Sequence, residues 1–415
     1  MIDHSLERAR LLIEQNRCAE AEKELQKTLA SDPNNAETFL LLSICKLKTN
    51  KLDEAETLIK TAINLAPANP YLLNIYAQIL YNKGNYSEAE KIISEAIQGD
   101  PHNADFFAVL STIHLHNKDW NKALAAANQG LSIAPDNISC LNIRSTALIK
   151  LDKKEESYST IQEALYHDPE NAHTHANLGW GLLEKGDHKQ ALKHFTKALQ
   201  IDPESEFAKA GLVQALKAKY LVYRYFLKYA FWIGNMKGKM QWGIIIGFYV
   251  GARIIRYIAN TNPTLSPFLT PLIVLYTIFA VSTWIIGPLT NLFLRLNVYG
   301  KYALTDKEIT TSNFVGISLL IGLIGGITYI FIPTLLFAGI GFYGLTMMIP
   351  LSKMLDPVKN GKKQFMIAYT AALALTGASG LILLAQENPV FDTFGLIYII
   401  GLVAFQWVGN FILMR

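Results

Sequence analysis

Small residues and prolines recur with a fixed period in the first half of the chain. Six prolines are spaced 34 residues apart, at Pro33, Pro67, Pro101, Pro135, Pro169 and Pro203. A small residue precedes each proline by 12 residues, at Ala21, Ala55, Ala89, Ala123, Ser157 and Ala191. Another precedes it by 24 residues, at Ala9, Ser43, Ala77, Ser111, Ser145 and Gly179. The pattern predicts two antiparallel helices per period, because helices approach closely only where side chains are small and proline prevents the second helix from continuing.

Six such periods over residues 2–205 resemble the tetratricopeptide repeat. The sixth copy resembles the family closely, with Leu178-Gly179, Ala191, Phe195, Ala198 and Pro203. The resemblance implies an all-α solenoid of six repeats, with residues 206–218 forming a helix that caps the last repeat. We therefore expect a solenoid domain over residues 2–218. The family further implies a right-handed superhelix whose concave surface binds peptides or protein helices.

In this family the first helix of each repeat lines the concave surface. We expect nine partner-binding residues there: Tyr71, Asn74, Gln78, Tyr81, Asp105, His116, Asn142, His173 and Trp180. Repeats that bind the terminal carboxylate of a peptide carry Lys or Arg at several of these positions. The second position of each repeat here carries instead Asp3, Glu37, Tyr71, Asp105, Ser139 or His173, so we do not expect carboxylate binding. A mixed aromatic and acidic groove favours a basic or aromatic ligand segment. The alternative is a solvated face without a ligand, because every solenoid needs a polar surface.

The hydrophobic pattern changes after the repeats. Residues 219–240 combine aromatic side chains with Lys219, Arg224 and Lys228, which predicts an amphipathic linker helix at the headgroups of a membrane. The alternative is an ordinary helix packed on the cap. Residues 241–415 contain six apolar stretches of about 20 residues, the length needed to cross a bilayer. They predict a transmembrane bundle with spans at 241–259, 268–290, 313–332, 334–354, 365–385 and 393–413.

The charge of the chain divides at the same place. Residues 1–216 hold 22 Lys and Arg against 29 Asp and Glu, a net charge of −7, whereas residues 217–415 hold 16 against 5, a net charge of +11. This division is typical of a soluble domain fused to a membrane domain. We find no segment typical of a cleaved signal near Met1.

Charges in the loops between spans indicate the orientation of the chain. One set of connections carries Arg295, Lys301, Lys307, Lys353, Lys359, Lys362 and Lys363, and the other set, around 261–266, 333 and 386–392, carries no Lys or Arg. We therefore expect an integral protein of the bacterial cytoplasmic membrane with both termini in the cytosol. Arg253 and Arg256 depart from this pattern. Either they extend to the outer headgroups, or they face a cavity and bind an anionic lipid or substrate.

Candidate catalytic and metal-binding residues are few. The pairs His114 and His116, and His173 and His175, point apart on a helix, and Cys18, Cys45 and Cys140 are isolated in the sequence. The sequence Gly377-Ala378-Ser379-Gly380 resembles the serine motif of rhomboid proteases, but no histidine follows His194 to act as its base. We therefore expect no catalytic residue, metal or cofactor.

The predicted function is that of a non-catalytic, membrane-anchored scaffold or adaptor that binds a protein partner, contacts membrane lipids and binds no nucleic acid. The alternative is a transporter or lipid-handling protein with regulatory repeats.

Overall fold

A computed structural model of the chain describes residues 2–294, 304–356 and 360–413, and every regular element in these ranges is an α-helix. The first twelve helices correspond to the first and second helices of the six predicted repeats. They are α1 (Ile2–Glu14), α2 (Cys18–Ser31), α3 (Ala36–Lys48), α4 (Leu52–Leu65), α5 (Pro70–Asn82), α6 (Tyr86–Gly99), α7 (Ala104–His116), α8 (Trp120–Ile133), α9 (Ile138–Lys150), α10 (Lys154–His167), α11 (Ala172–Lys185) and α12 (His188–Ile201). The predicted tetratricopeptide solenoid is confirmed.

The small residues of the 34-residue pattern lie where helices pack together. All twelve of them are buried. In the fifth repeat the Ser145 and Ser157 hydroxyls are 2.9 Å apart and form a hydrogen bond across the two helices. The small side chains therefore allow the close approach on which the sequence prediction depended.

Asparagines at the starts of the first helices provide a second repeated feature, which the sequence analysis did not identify. Asn35, Asn69, Asn103 and Asn137 each precede a first helix and accept a hydrogen bond from a backbone N–H of its first turn. Such caps satisfy donors that have no partner within the helix, each contributing about 1 kcal/mol. They fix the residue at which the second, third, fourth and fifth repeats begin.

The chain divides into two compact units. The first comprises Met1–Gly181, His194–Ser205 and Asn235–Lys237, and the second comprises Leu182–Lys193, Glu206–Gly234 and Gly238–Arg415. The predicted boundaries at residues 218 and 240 stay predictions.

Helix α13 (Glu206–Lys217) was expected to cap the solenoid, and it belongs to the second unit. There Val213 and Leu216 pack with Leu294, Leu304 and Ile309. This apolar contact joins α13 to the ends of two helices of the second half of the chain.

Helix α14 (Leu221–Gly234) lies within the range 219–240 that was predicted as a linker helix, and the last residues of that range, from Gly238, belong to α15. Its Tyr223 and Leu227 side chains are buried, whereas Val222 and Tyr225 are 69% and 65% exposed. An aromatic helix with one buried and one exposed apolar face suits a headgroup layer.

Six long helices follow, one over each predicted span: α15 (Gly238–Thr261), α16 (Ser266–Leu294), α17 (Asp306–Phe331), α18 (Leu335–Lys353), α19 (Asn360–Ala385) and α20 (Phe391–Leu413). By length and composition, α17 to α20 are able to cross a membrane. The described apolar stretches of α16 are the shorter segments Ser266–Tyr276 and Ile285–Leu294. Spans at 241–259 and 268–290 therefore stay predictions. Arg295, Lys301, Lys359 and Arg415, used to orient the chain, lie outside the described residues.

Glycines bring α17 and α18 into backbone contact. A Cβ atom added to Gly344 would collide with the backbone nitrogen of Gly322, and one added to Gly325 would collide with that of Gly341. The Ser318 hydroxyl donates a hydrogen bond of 2.7 Å to the Gly344 carbonyl across the same contact. Small residues allow this approach between helices in lipid.

Candidate partner-binding surface

The first helices of repeats one to three line an open cavity of about 720 Å³. Leu40 forms a buried part of its wall, and the side chain of Tyr71 is 44% exposed. The remaining lining residues come from the same three helices and from the residue before α5: Arg10, Ile13, Glu14, Ala36, Glu37, Leu41, Ile44, Lys48, Asn69 and Leu72. An apolar wall beside charged and aromatic groups is able to receive an anchor side chain of a protein partner.

The charged residues of this cavity differ in whether they have hydrogen-bond or salt-bridge partners. The Arg10 guanidinium donates to the Glu37 carboxylate, and this interaction raises the pKa of Arg10. Lys48 Nζ donates to the Ile13 carbonyl at 3.1 Å and to the Asn16 side chain at 3.0 Å. The Glu14 carboxylate, in contrast, has no hydrogen-bond or salt-bridge partner among the described residues. Arg10 and Lys48 balance Glu14 and Glu37 in formal charge, and Glu14 is the carboxylate of this lining that is left open to a ligand.

Two of the predicted residues belong to an aromatic cluster. The rings of Tyr86 and His116 stack with centroids 3.8 Å apart, and Tyr81 meets His116 edge-on at 5.8 Å. Burial raises the pKa of Tyr81. Tyr86, which the sequence analysis missed, lies at the start of a second helix, so no pattern within the first helices could have identified it.

Asn74 and Asn142 occupy equivalent positions two repeats apart and are each only 3% exposed. The Asn142 amide donates to the Thr174 hydroxyl of the next repeat at 2.9 Å. Within the described ranges, the side-chain oxygen of each asparagine has no hydrogen-bond donor. A buried acceptor without a donor costs about 1–3 kcal/mol, so a ligand N–H that reached either oxygen would bind favourably.

The remaining predicted residues are dispersed along the solenoid. Gln78 is half-buried, and Asp105 accepts a hydrogen bond of 2.8 Å from the Asn137 amide. The side chain of His173 is exposed to solvent on one side. Protein atoms on its other side partly desolvate the imidazole and lower its pKa. The Trp180 indole packs edge-on against Phe195 with centroids 5.6 Å apart. The role of all nine residues in binding stays a prediction.

The histidine pairs diverge, as helix geometry predicts. His114 is buried, whereas His116 is exposed. In the described ranges no three metal-ligating side chains form a cluster. The structure instead brings His175 and His194 together, with their Nδ1 atoms 3.2 Å apart. No pattern in the sequence indicated this pair, because the two residues lie on different helices.

The nucleophile candidates lie in packed surroundings. Burial raises the pKa of the Cys45 and Cys140 thiols to about 12, and the neighbouring Cys18 contributes to the shift at Cys45. A thiol with a raised pKa is a poor nucleophile at neutral pH. In the serine motif, a Cβ atom on Gly377 would lie 2.5 Å from Cε2 of Tyr343, so this glycine serves helix packing.

Comparison with known protein families identifies the repeats directly. Residues 19–140 match the family model of the tetratricopeptide repeat domain of cytochrome c-type biogenesis protein H, and residues 172–205 match the tetratricopeptide repeat model. No curated protein sequence matches the chain. The membrane half is not assigned to a family.

Solved structures of repeat proteins are similar to part of the chain. A thermophilic tetratricopeptide repeat protein of Thermus thermophilus is 18% identical, with a TM-score of 0.42, and the match covers 44% of this chain and 99% of that protein. YrrB, a repeat protein with an unusual peptide-binding site, is 19% identical, with a TM-score of 0.31 and coverage of 44% and 95%. The Cut9–Hcn1 hetero-tetramer is 16% identical, with a TM-score of 0.46 and coverage of 52% and 43%.

Proposed function

We propose that this chain is a non-catalytic scaffold that holds a protein partner at a membrane, with tetratricopeptide repeats as the binding part and the helices after residue 240 as the anchor. Tetratricopeptide repeats are a protein-binding fold. Four apolar helices of membrane-spanning length support the anchor. The finer assignment, to the cytoplasmic membrane of a bacterium with both termini in the cytosol and α14 at the headgroups, rests on loop charge and on the two faces of α14.

The cavity of the first three repeats is the observation that carries the proposal. Its apolar wall at Leu40 and Ile44 suits a hydrophobic or aromatic side chain of a partner. The unpaired Glu14 carboxylate suits a Lys or Arg close to that side chain. We therefore infer a partner segment that combines an apolar anchor with a basic residue, in agreement with the preference expected from the sequence.

The experiment compares groove variants with a matched surface variant. Truncating Tyr71, Tyr81 and Trp180 to Ala should abolish co-purification of the partner with the full chain from detergent-solubilised membranes, because aromatic anchors contribute about 2 kcal/mol or more each. Tyr166→Ala is the control: Tyr166 is 83% exposed and lies on a second helix. It should retain the partner. Quantitative mass spectrometry of the purified complexes provides the measurement.

A triple variant that recovers the same proteins in the same amounts as the parent chain would contradict the scaffold function. Binding at the cavity is tested more narrowly with a photo-crosslinking residue at position 71 or at position 166. Position 71 should yield the adduct, and position 166 should not. Equal adducts at both positions would exclude the cavity as the binding site.

The second candidate function, a lipid-handling protein with regulatory repeats, is favoured by one observation. Arg253 and Arg256, which oppose the charge pattern of the loops, line a common cavity. Substitutions there that remove activity while the groove variants keep it would favour this function over the scaffold.

A further inference from the structure

Helix α15 carries a polar stripe along one side. Tyr249, Arg253, Arg256, Tyr257 and Asn260 follow one another at intervals of four, three, one and three residues, which places them on one helical face. All five line a single cavity of about 420 Å³, to which Tyr276 of α16 also contributes. The two arginines therefore line one cavity and are not scattered surface charges.

The two helices that line the cavity also carry exposed apolar side chains. Val250 and Ile254 of α15 are 46% and 52% exposed, and Leu272 and Leu275 of α16 are 51% and 64% exposed. Arg256 lies five residues before the end of α15 at Thr261, about 7.5 Å along the helix axis. If the turn after Thr261 lies at the membrane surface, the guanidinium groups lie close to the boundary between headgroups and hydrocarbon.

No carboxylate of α15 or α16 balances the positive charge of this site. The sequence contains no Asp or Glu between Glu206 and Asp306, so neither α15 nor α16 can supply a carboxylate. Within the described ranges, neither guanidinium forms a salt bridge or a hydrogen bond. Two unpaired cations beside apolar surface are unfavourable unless an anion accompanies them.

We propose that the cavity between α15 and α16 binds the phosphate of an anionic membrane phospholipid. Guanidinium groups bind phosphate through paired hydrogen bonds, and residues three apart on a helix lie close enough to reach one phosphate. The hydroxyls of Tyr257 and Tyr276 and the amide of Asn260 offer further donors to phosphate and glycerol oxygens. The exposed Leu272 and Leu275 side chains suit the acyl chains. This apolar surface favours a lipid over a soluble phosphate.

The test measures lipid binding to the full chain in a non-ionic detergent by native mass spectrometry. Phosphatidylglycerol should bind one molecule per chain and more tightly than phosphatidylcholine with the same acyl chains. The R253Q/R256Q variant should bind phosphatidylglycerol about 25-fold more weakly, since each basic residue contributes about a fivefold preference for an anionic lipid. K362Q/K363Q removes the same charge near the start of α19 and should bind as the parent chain does.

The outcomes distinguish a lipid from a soluble anion, and a specific site from an effect of net charge. Glycerol 3-phosphate that competes with the lipid at equal concentration would overturn the lipid proposal in favour of a soluble anion. Equal binding of phosphatidylglycerol and phosphatidylcholine by the parent chain would also overturn it, whether or not the glutamine variant folds. R253K/R256K keeps the charge and should retain most of the preference, which separates loss of charge from loss of structure. Equal losses in K362Q/K363Q and R253Q/R256Q would assign the effect to net charge and would overturn the site.

Discussion

Substitution of Gly179 tests the closest contact of the sixth repeat. A Cβ atom on Gly179 would lie 2.8 Å from the Cε1 and Cζ atoms of Phe195, nearer than side-chain carbons normally approach. Phe195 is fully buried and packs against Trp180, so its ring cannot move away without displacing a second aromatic side chain. Gly179→Leu should cost about 3 kcal/mol by overpacking, whereas removing a mid-helix glycine returns about 1 kcal/mol. The net loss of about 2 kcal/mol corresponds to a roughly 30-fold increase in local opening.

Hydrogen exchange on the full chain in detergent measures this opening directly. The backbone amides of α11 and α12 should exchange roughly 30-fold faster in Gly179→Leu, whereas those of α3 and α4 should not change, because repeats are coupled mainly to their neighbours. Adding Phe195→Leu returns space to the contact. The double variant should therefore lose less stability than the sum of the losses in the two single variants. Unchanged exchange in α11 and α12 would place Gly179 in open space and refute the repeat alignment there.

Three further predictions concern topology, separability and pH. A reporter that is active only in the cytosol should be active after Arg415 and silent at Asn262, and the reverse result at either site would overturn the six-span arrangement. Residues 1–216 alone should give a soluble, helical fragment with cooperative thermal unfolding by circular dichroism; aggregation in every buffer, with the full chain well folded, would contradict the domain boundary. Burial lowers the pKa of His114, so the unfolded chain binds this proton first as the pH falls. The stability of the fragment should therefore be highest above the ordinary histidine pKa of about 6.5 and decline below it. The decline should be smaller in His114→Gln, and equal declines would exclude His114 as a cause.

The repeats could be predicted from sequence because their determinants are periodic. Small residues at fixed offsets mark where two helix backbones approach each other, because close approach depends on residue size. The prolines mark where each second helix ends. All twelve small positions are buried in the structure. The asparagine caps at Asn35, Asn69, Asn103 and Asn137 repeat with the same period, and the same search would have found them. The positions at which the helices of the repeats approach closely were thus predictable from the sequence.

The candidate binding surface was less predictable, because side chains from neighbouring elements modify it. Tyr86 covers one face of the His116 ring, and the Thr174 hydroxyl accepts a hydrogen bond from the Asn142 amide. A periodic pattern shows which side of a helix a residue occupies, but not whether an adjacent repeat already uses its hydrogen-bonding groups. The cavity near Tyr71 also depends on how charges are shared within the first repeats: Arg10 is neutralised by Glu37, and Glu14 is left unpaired.

The two arginines of α15 link the topology of the chain to its lipid contacts. With Asn262 outside, as the loop charges indicate, Arg253 and Arg256 lie on the side where basic residues are disfavoured. A bound lipid phosphate would neutralise them there and remove the conflict with the loop-charge rule. The two measurements remain independent. If the reporter at Asn262 is active while phosphatidylglycerol still binds through the arginines, the lipid site stands but faces the cytosolic leaflet. If the reporter is silent and the lipid does not bind, the arginines merely extend to the outer headgroups, and the cavity between α15 and α16 has no role in recognition.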